Sequence, residues 1–322
     1  MMARKDNFAY SQTNKSGAGV FTYPANAASW WLQPSVEWQG KIGKNWTTNA
    51  GLRVVQWNYL PDNKKSETNI EPLANVGYRF DNNAALTFGY SLQSQMVSPQ
   101  LTTPFEVGLT TGQFIHEKIT KSHNINLGYH FSGAKNLVAN VDAYYQNIFD
   151  ASSLTLNELE PSNYSRLSKG RNIGVEIDVQ QQLIKGFYWR VNASFYDSKY
   201  QNGTTWLNTR FNGHYITNGL IGKEWTFGAA KNRFLGVNGH VLLRGGYLDV
   251  YDNKQLKDYF RTDLNVYWKR SHARYSSTVQ LDIQNVTNQQ NDGWNYYDVR
   301  KKAVVAKTQL GLIPNLAYKV EF

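Results

Sequence analysis

The stretch Tyr259-Phe260-Arg261-Thr262-Asp263-Leu264-Asn265-Val266-Tyr267-Trp268-Lys269 alternates between two chemistries. Phe260, Thr262, Leu264, Val266 and Trp268 fall on one side of an extended chain, and Tyr259, Arg261, Asp263, Asn265, Tyr267 and Lys269 on the other. Successive side chains of a strand point to opposite faces, so a period of two predicts a long strand with one apolar and one polar face.

The pattern recurs along the chain. Ile173, Val175, Ile177 and Val179 oppose Asn172, Gly174, Glu176 and Asp178; Phe187, Trp189, Val191, Ala193 and Phe195 oppose Tyr188, Arg190, Asn192, Ser194 and Tyr196. Ile125, Leu127, Tyr129 and Phe131 repeat it upstream, as do Trp30, Leu32, Pro34, Val36 and Trp38. No helical period of comparable length occurs. Counting from Ser29 gives about thirteen strands in the remaining 294 residues, 22 to 23 residues apiece with their connections. A soluble sandwich spaces its strands at about 8–12 residues. Segments that alternate for ten residues or more instead match the ~9–11 residues a tilted strand needs to cross a hydrocarbon layer.

The connections alternate between short and long. Tight turns rich in Gly, Asn and Asp are predicted at Gly43-Lys44-Asn45, Asp81-Asn82-Asn83, Gly133-Ala134-Lys135-Asn136, Lys185-Gly186, Ala230-Lys231-Asn232 and Ser271-His272-Ala273. Long ones fall around 60–68, 97–120, 150–166, 201–214, 249–258 and 288–302, and carry Pro61, Pro99, Pro104 and Pro161. Short turns on one rim and long loops on the other predict an all-β fold: a transmembrane antiparallel β-barrel of the outer-membrane kind. Trp30, Trp57, Tyr59, Tyr145, Trp189, Trp225 and Trp268 then belong to an interfacial girdle.

Composition agrees. Aromatics make up 14% of the 322 residues, yet mean hydropathy is −0.55, as expected of strands that are greasy on alternate positions only. No apolar run approaches the ~18 residues of a membrane-spanning helix. With zero cysteines there is no disulfide framework and no thiolate chemistry. The net charge of +10 is scattered rather than gathered in a stripe, so nucleic acid is not an expected partner. The stretch after Met1 lacks the apolar run of a signal peptide.

A parity problem follows from the count. Single-chain bacterial barrels have even strand numbers, because an open edge in lipid leaves backbone groups unpaired. Thirteen strands predict a piece of a larger barrel, with residues 1–28 an extracellular loop or incomplete strand and residues 29–322 the barrel itself. Leu316, Tyr318, Val320 and Phe322 alternate to the last residue and resemble the terminal strand read by outer-membrane assembly machinery.

Several motifs together carry a family resemblance. They are Tyr259-Phe260-Arg261-Thr262-Asp263-Leu264, then Leu281-Asp282-Ile283-Gln284-Asn285-Val286-Thr287-Asn288, then Gln309-Leu310-Gly311-Leu312-Ile313-Pro314-Asn315-Leu316 into Phe322. Upstream, Gly170-Arg171-Asn172-Ile173-Gly174-Val175-Glu176, Asn218-Gly219-Leu220-Ile221-Gly222-Lys223-Glu224-Trp225 and Arg244-Gly245-Gly246-Tyr247 join them in order. From about residue 70 onward the chain resembles the C-terminal barrel strands of TonB-dependent outer-membrane receptors of the Bacteroides type. The resemblance implies a barrel of about 22 strands filled by an N-terminal plug, here absent together with the first strands, and uptake of a scarce nutrient through a TonB-type coupling protein that acts on the plug. Outer-membrane lipid, lipopolysaccharide and a surface lipoprotein are the other implied partners, in a Gram-negative outer membrane. Such a piece alone is not expected to transport. A self-contained porin-like or adhesin-like barrel is the alternative.

No catalytic residue, metal site or cofactor is expected. The six histidines show no ligand spacing, and the Glu176/Asp178 pair, which shares a strand face, reads as wall rather than as acid and base. With Arg53, Arg190, Glu224, Arg244, Arg261 and Asp263 it predicts a mixed-charge lumenal lining that faces the plug. Trp206, Tyr251, Trp294, Tyr296 and Tyr297 fall in long loops and are the candidate substrate-facing aromatics.

Overall fold

A computed structural model describes residues 2–10, 13–16, 19–22, 25–59, 65–95, 119–133, 136–152 and 167–322. The chain opens with β1 (Met2–Tyr10) and a small hairpin of β2 (Thr13–Ser16) and β3 (Gly19–Thr22). Then come β4 (Ala25–Gln33), β5 (Ser35–Ile42), β6 (Trp46–Tyr59), β7 (Lys65–Arg79), β8 (Ala84–Gln95) and β9 (Thr120–Ser132). They are followed by β10 (Leu137–Ser152), β11 (Leu167–Ile184), β12 (Phe187–Asn202) and the short β13 (Thr205–Asn208), which folds back on β12. Strands β14 (Tyr215–Phe227), β15 (Arg233–Arg244), β16 (Tyr259–Ser271) and β17 (Ser276–Gln284) continue the sheet. A separate hairpin of β18 (Asp292–Asp298) and β19 (Ala303–Thr308) precedes β20 (Ile313–Glu321).

These strands form one antiparallel up-and-down sheet in sequence order, from β1 and β4 through β17 to β20. Among the described residues there is no helix, and no pairing joins β1 to β20, so the path is open. Strands β4 and β5 are one ladder in two pieces. The register with β6 runs unbroken from Leu32↔Gln56 to Ser35↔Arg53, and between them Pro34, which has no N–H, still accepts from Val54 N at 2.9 Å. Counted so, thirteen strands run from Ala25 onward, and β1, paired along the whole of β4, is a fourteenth.

Short turns and long connections alternate as the sequence predicts. The tightest turn, Lys185-Gly186, has φ of +50° and +80°, the left-handed pair that matches the twist of a two-residue hairpin. Of the long connections, 60–64, 97–118 and 153–166 lie outside the described residues, with Pro61, Pro99, Pro104 and Pro161; so do Ala134 and Lys135 of one short turn.

The sheet has no conventional core. Among the described residues only six apolar side chains are buried, while Val36, Trp38, Leu127, Phe195 and Leu316 stand out from one face. A soluble protein covers such a face; a wall in a hydrocarbon layer leaves it outward. Trp225, Trp268 and Phe227 collect on that face at the short-turn rim, where Phe227 and Trp268 lie 5.9 Å apart. Trp57 instead shares the inner face with Arg53 and Val55. The side chains of Trp30 and Tyr59 lie outside the described residues.

Candidate functional site

The inner face of the wall is built in rows. Antiparallel register places polar residues directly opposite one another on neighbouring strands, and their side chains close the gaps. One row crosses five strands and a loop. Asn124 Nδ2 lies 3.5 Å from Ser91 Oγ, Gln146 Nε2 donates to Asn124 Oδ1 at 3.0 Å, and Asn172 Nδ2 donates to Gln146 Oε1 at 2.6 Å. Ser198 then donates to Asn172 Oδ1 at 2.6 Å and Thr209 to Ser198 at 2.8 Å. All but Thr209 are direct cross-strand partners from β8 to β12.

A second row uses glycine as a gap. Tyr188, Gly222 and Asn238 are register neighbours, and the tyrosine hydroxyl passes over Gly222 to donate to Asn238 Oδ1 at 2.5 Å. Asn238 donates to Asn265, which donates to Asp282. Nearer the short-turn rim Tyr267 crosses Gly236 in the same way to Glu224, at 2.6 Å. A Cβ on either glycine would strike a tyrosine ring.

The charged residues expected on the wall share this face, and most are neutralised locally. Arg190 donates from Nε and Nη2 to the two oxygens of Asp178 at 2.8 and 3.3 Å, and Asn192 donates to the same carboxylate at 2.6 Å. Arg261 and His240 share Asp263, at 2.7 and 3.2 Å. Arg53 pairs with Glu71, which is 3% exposed and also accepts from Ser94 and Asn69. Glu176 is exposed on this polar face between Asp142 and Ser194, its register partners. Arg244 differs: no carboxylate lies within ion-pair distance among the described residues, and its guanidinium sits 3.9 Å from the ring of Tyr247 and 4.7 Å from that of Tyr259. Stacked on aromatic faces, a guanidinium keeps its edge donors for an anion.

At the long-connection rim, buried polar residues fasten the loops. Asp249, 1% exposed, accepts from Asn295 N at 3.0 Å and so ties the 245–258 connection to β18. Asn285 grips its own turn through Gln289, and Asn291 donates to the Phe260 carbonyl at 2.8 Å. In the loop, Asp252 takes hydrogen bonds from Lys254 Nζ and Lys254 N, which hold its carboxyl below the usual carboxylate range.

The candidate loop aromatics fall in separate places. Trp206 lies on β13 with the Arg171 guanidinium 5.2 Å from its ring. Trp294 and Tyr296 share one face of β18, Tyr297 faces the other way, and Lys307 covers Trp294 at 4.8 Å. Tyr251 is exposed in the 245–258 connection. Leu316, Tyr318 and Val320 stand on the outward side of β20 and Phe322 follows it; among the described residues β20 pairs only with β17, and it is exposed along its whole length. Among the described residues no His, Asp and Glu cluster has the makings of a metal site.

Sequence reasoning missed the loop anchors Asp249 and Asn291, and a cluster on the outer rim in which Arg171, Lys199 and His214 surround Asp197. The period of two assigns each of the latter to a face, but only the strand register brings Arg171 opposite Lys199.

The comparisons fit this architecture. The crystal structure of the ferric yersiniabactin uptake receptor FyuA from Yersinia pestis is 16% identical, with a TM-score of 0.65 over 92% of this chain and 45% of that one. BauA, the ferric preacinetobactin receptor from Acinetobacter baumannii, is 13% identical with a TM-score of 0.66, covering 93% and 44%. The copper transporter OprC gives 14% and 0.66, covering 97% and 51%. At these identities the likeness is one of fold, and the chain spans about half the length of these structures. No curated protein sequence matches. The family model described as TonB dependent receptor-like, beta-barrel matches residues 3–286. Matched over most of its length, the chain belongs to the TonB-dependent receptor β-barrel family.

Proposed function

We propose that this chain forms the C-terminal part of the barrel wall of an energy-coupled outer-membrane receptor of Gram-negative bacteria, of the Bacteroides type. In the complete receptor a plug fills a barrel of about 22 strands. A TonB-type protein acts on that plug and admits a scarce nutrient bound from outside. A surface lipoprotein above the long loops completes the assembly, and the chain alone does not transport.

The observation that carries this reading is the two-faced wall itself: an apolar outer face, hydrogen-bonded polar rows inside, and long connections confined to one rim. A polar inner face laced by hydrogen bonds suits a lumen that receives a folded plug rather than a packed apolar core. Arg244, stacked on Tyr247 and Tyr259 near the outer end of β15, and the aromatics of β18 are the side chains for the incoming nutrient. Metal-bearing cargo, printed in the names of the three solved structures above, is the first class to test.

The test is uptake by cells that carry the complete receptor. Uptake of the nutrient is expected to stop when the coupling protein is deleted, and Arg244→Ala is expected to weaken binding at the cell surface. A steady closed pore formed in a planar bilayer by the refolded chain alone would overturn the reading in favour of a self-contained porin-like barrel.

A further inference from the structure

The fold gathers charge that the sequence scatters. Within three residues of the six short turns the sequence has ten lysines and arginines and a single carboxylate, Asp81, so almost all of the net +10 lies at that rim. Lys44, Lys185, Lys231 and Arg274 are exposed and sit beyond the last ladder pairs of their hairpins, Ile42↔Trp46, Ile184↔Phe187, Phe227↔Arg233 and Ser271↔Ser276. Among the described residues of this basic set only Lys269 has a carboxylate within ion-pair distance, Glu321 at 4.0 Å.

The rim also sets like charges against one another. Arg233 and Arg270 are direct register partners on β15 and β16, and both are exposed. Lys223 Nζ donates to the Lys185 carbonyl at 2.7 Å and so places a second ammonium beside that turn. Like charges directly opposite on a sheet are destabilising, and a polyanion brought from outside relieves them.

The form of the patch selects the partner. Lys185, Lys231 and Arg274 stand on consecutive hairpins, so a cation recurs about every 10 Å along the rim, at roughly 4.8 Å per strand. The turn residues beside them, Gly186, Gly228-Ala229-Ala230 and Ser271-His272-Ala273, are small or polar. Phe227 and Trp268 belong to the outward face, and Tyr275 is stacked on His272 at 4.3 Å. A folded protein docks through a desolvated apolar centre with aromatic anchors. An extended polymer with repeated carboxylates needs only the row of cations.

We propose that the short-turn rim docks on peptidoglycan, the carboxylate-bearing glycan–peptide polymer that lies under an outer membrane, with the carboxylates of the peptide stems on the turn lysines and arginines. The proposal rests on the outer-membrane reading, which turns this rim toward the periplasm. Each contact is weak and screened, and several act together, so the attachment depends steeply on salt.

The experiment mixes the complete receptor, in mild detergent, with purified peptidoglycan sacculi and reads the fraction that sediments with them. The intact receptor is expected to sediment at about 0.05 M salt and to be released at about 0.5 M. The neutral set Lys44→Gln/Lys185→Gln/Lys231→Gln/Arg274→Gln is expected to bind about tenfold more weakly or worse, with unchanged heat-modifiable gel mobility as the sign that it is folded. The charge-preserving set Lys44→Arg/Lys185→Arg/Lys231→Arg/Arg274→Lys is expected to bind as the intact receptor does. Sacculi whose carboxylates have been converted to amides are expected to lose the receptor. Equal binding by the intact receptor and the neutral set overturns the proposal, as does undiminished binding to amidated sacculi. Binding confined to anionic phospholipid vesicles overturns it too, and makes the rim a lipid contact. Orientation is tested separately: Asn82→Cys, in a short turn, is expected to react with a membrane-impermeant maleimide only after the outer membrane is opened, and labelling in intact cells would refute the outer-membrane reading itself.

Discussion

Arg190 grips Asp178 with two of its donors on the polar face of the sheet, yet half of the arginine side chain is open to solvent. Screening makes such a pair weak, so Arg190→Met is expected to change stability by less than about 1 kcal/mol in urea denaturation of the receptor in lipid vesicles. Arg53→Met is expected to cost more, on the order of 2 kcal/mol or above, because it leaves the Glu71 carboxylate nearly buried with only neutral partners. A reversed order would show that the wall at Glu71 is wetter than its 3% exposure indicates.

The tyrosines that cross glycines make a steric prediction. Gly236→Val places a branched side chain where the Tyr267 ring lies, and overpacking of this kind costs about 1–3 kcal/mol. Tyr267→Phe removes only the bond to Glu224, for about 1 kcal/mol in a wet lumen. Unfolding midpoints of the two variants are expected in that order, and the pair Gly236→Val/Tyr267→Ala is expected to recover part of the loss.

The two faces of β17 distinguish a membrane wall from a soluble sheet. Leu281 points outward and Gln280 inward. Leu281→Arg is expected to destabilise by up to about 2–4 kcal/mol in bilayers, and Gln280→Arg to be nearly neutral. Equal effects of both would contradict the assignment of faces.

At the rim, Asp249→Ala removes the acceptor of Asn295 N and is expected to expose the β18–β19 hairpin to limited proteolysis. Asp249→Asn keeps that acceptor and is expected to protect the hairpin more than the alanine variant does. The measured quantity is the rate at which protease cuts between residues 285 and 312.

Asp252 supplies the pH dependence. Because Lys254 lowers its folded-state pKa, its contribution to the ordering of the 249–254 turn is present above the ordinary carboxylate range and is lost as pH falls through the lower folded value. Lys254→Ala removes the ammonium and keeps the backbone donor, so the Asp252 titration, followed by the carboxyl carbon chemical shift, is expected to rise part of the way toward the ordinary range.

Much of this was legible in the residues themselves. Alternation in Tyr259 to Lys269 assigned each side chain to a face without any structure, because the strand period does not depend on neighbours. The Asn and Gly chemistry of turns such as Lys185-Gly186 fixed the short rim for the same reason. What stayed hidden needed register. Nothing local to Asn172 says that it bridges Gln146 and Ser198, residues 26 positions away on either side. Trp57 shows the limit of reading by position alone: it stands toward a strand end, like a girdle residue, but its parity puts it on the inner row with Arg53. The strand count likewise missed β1, whose alternation is weak and whose place is set by pairing with β4.

The row from Ser91 through Asn124, Gln146, Asn172 and Ser198 to Thr209 contains hydroxyls and amides only. None of its members titrates, and a neutral hydrogen bond is not screened as an ion pair is. That row is therefore insulated from changes in the medium around it: acid, brine or fresh water leave its stitching unchanged, while the ion pairs beside it at the same rim, Lys121 with Glu67 and Lys199 with Asp197 among them, slacken and tighten with each.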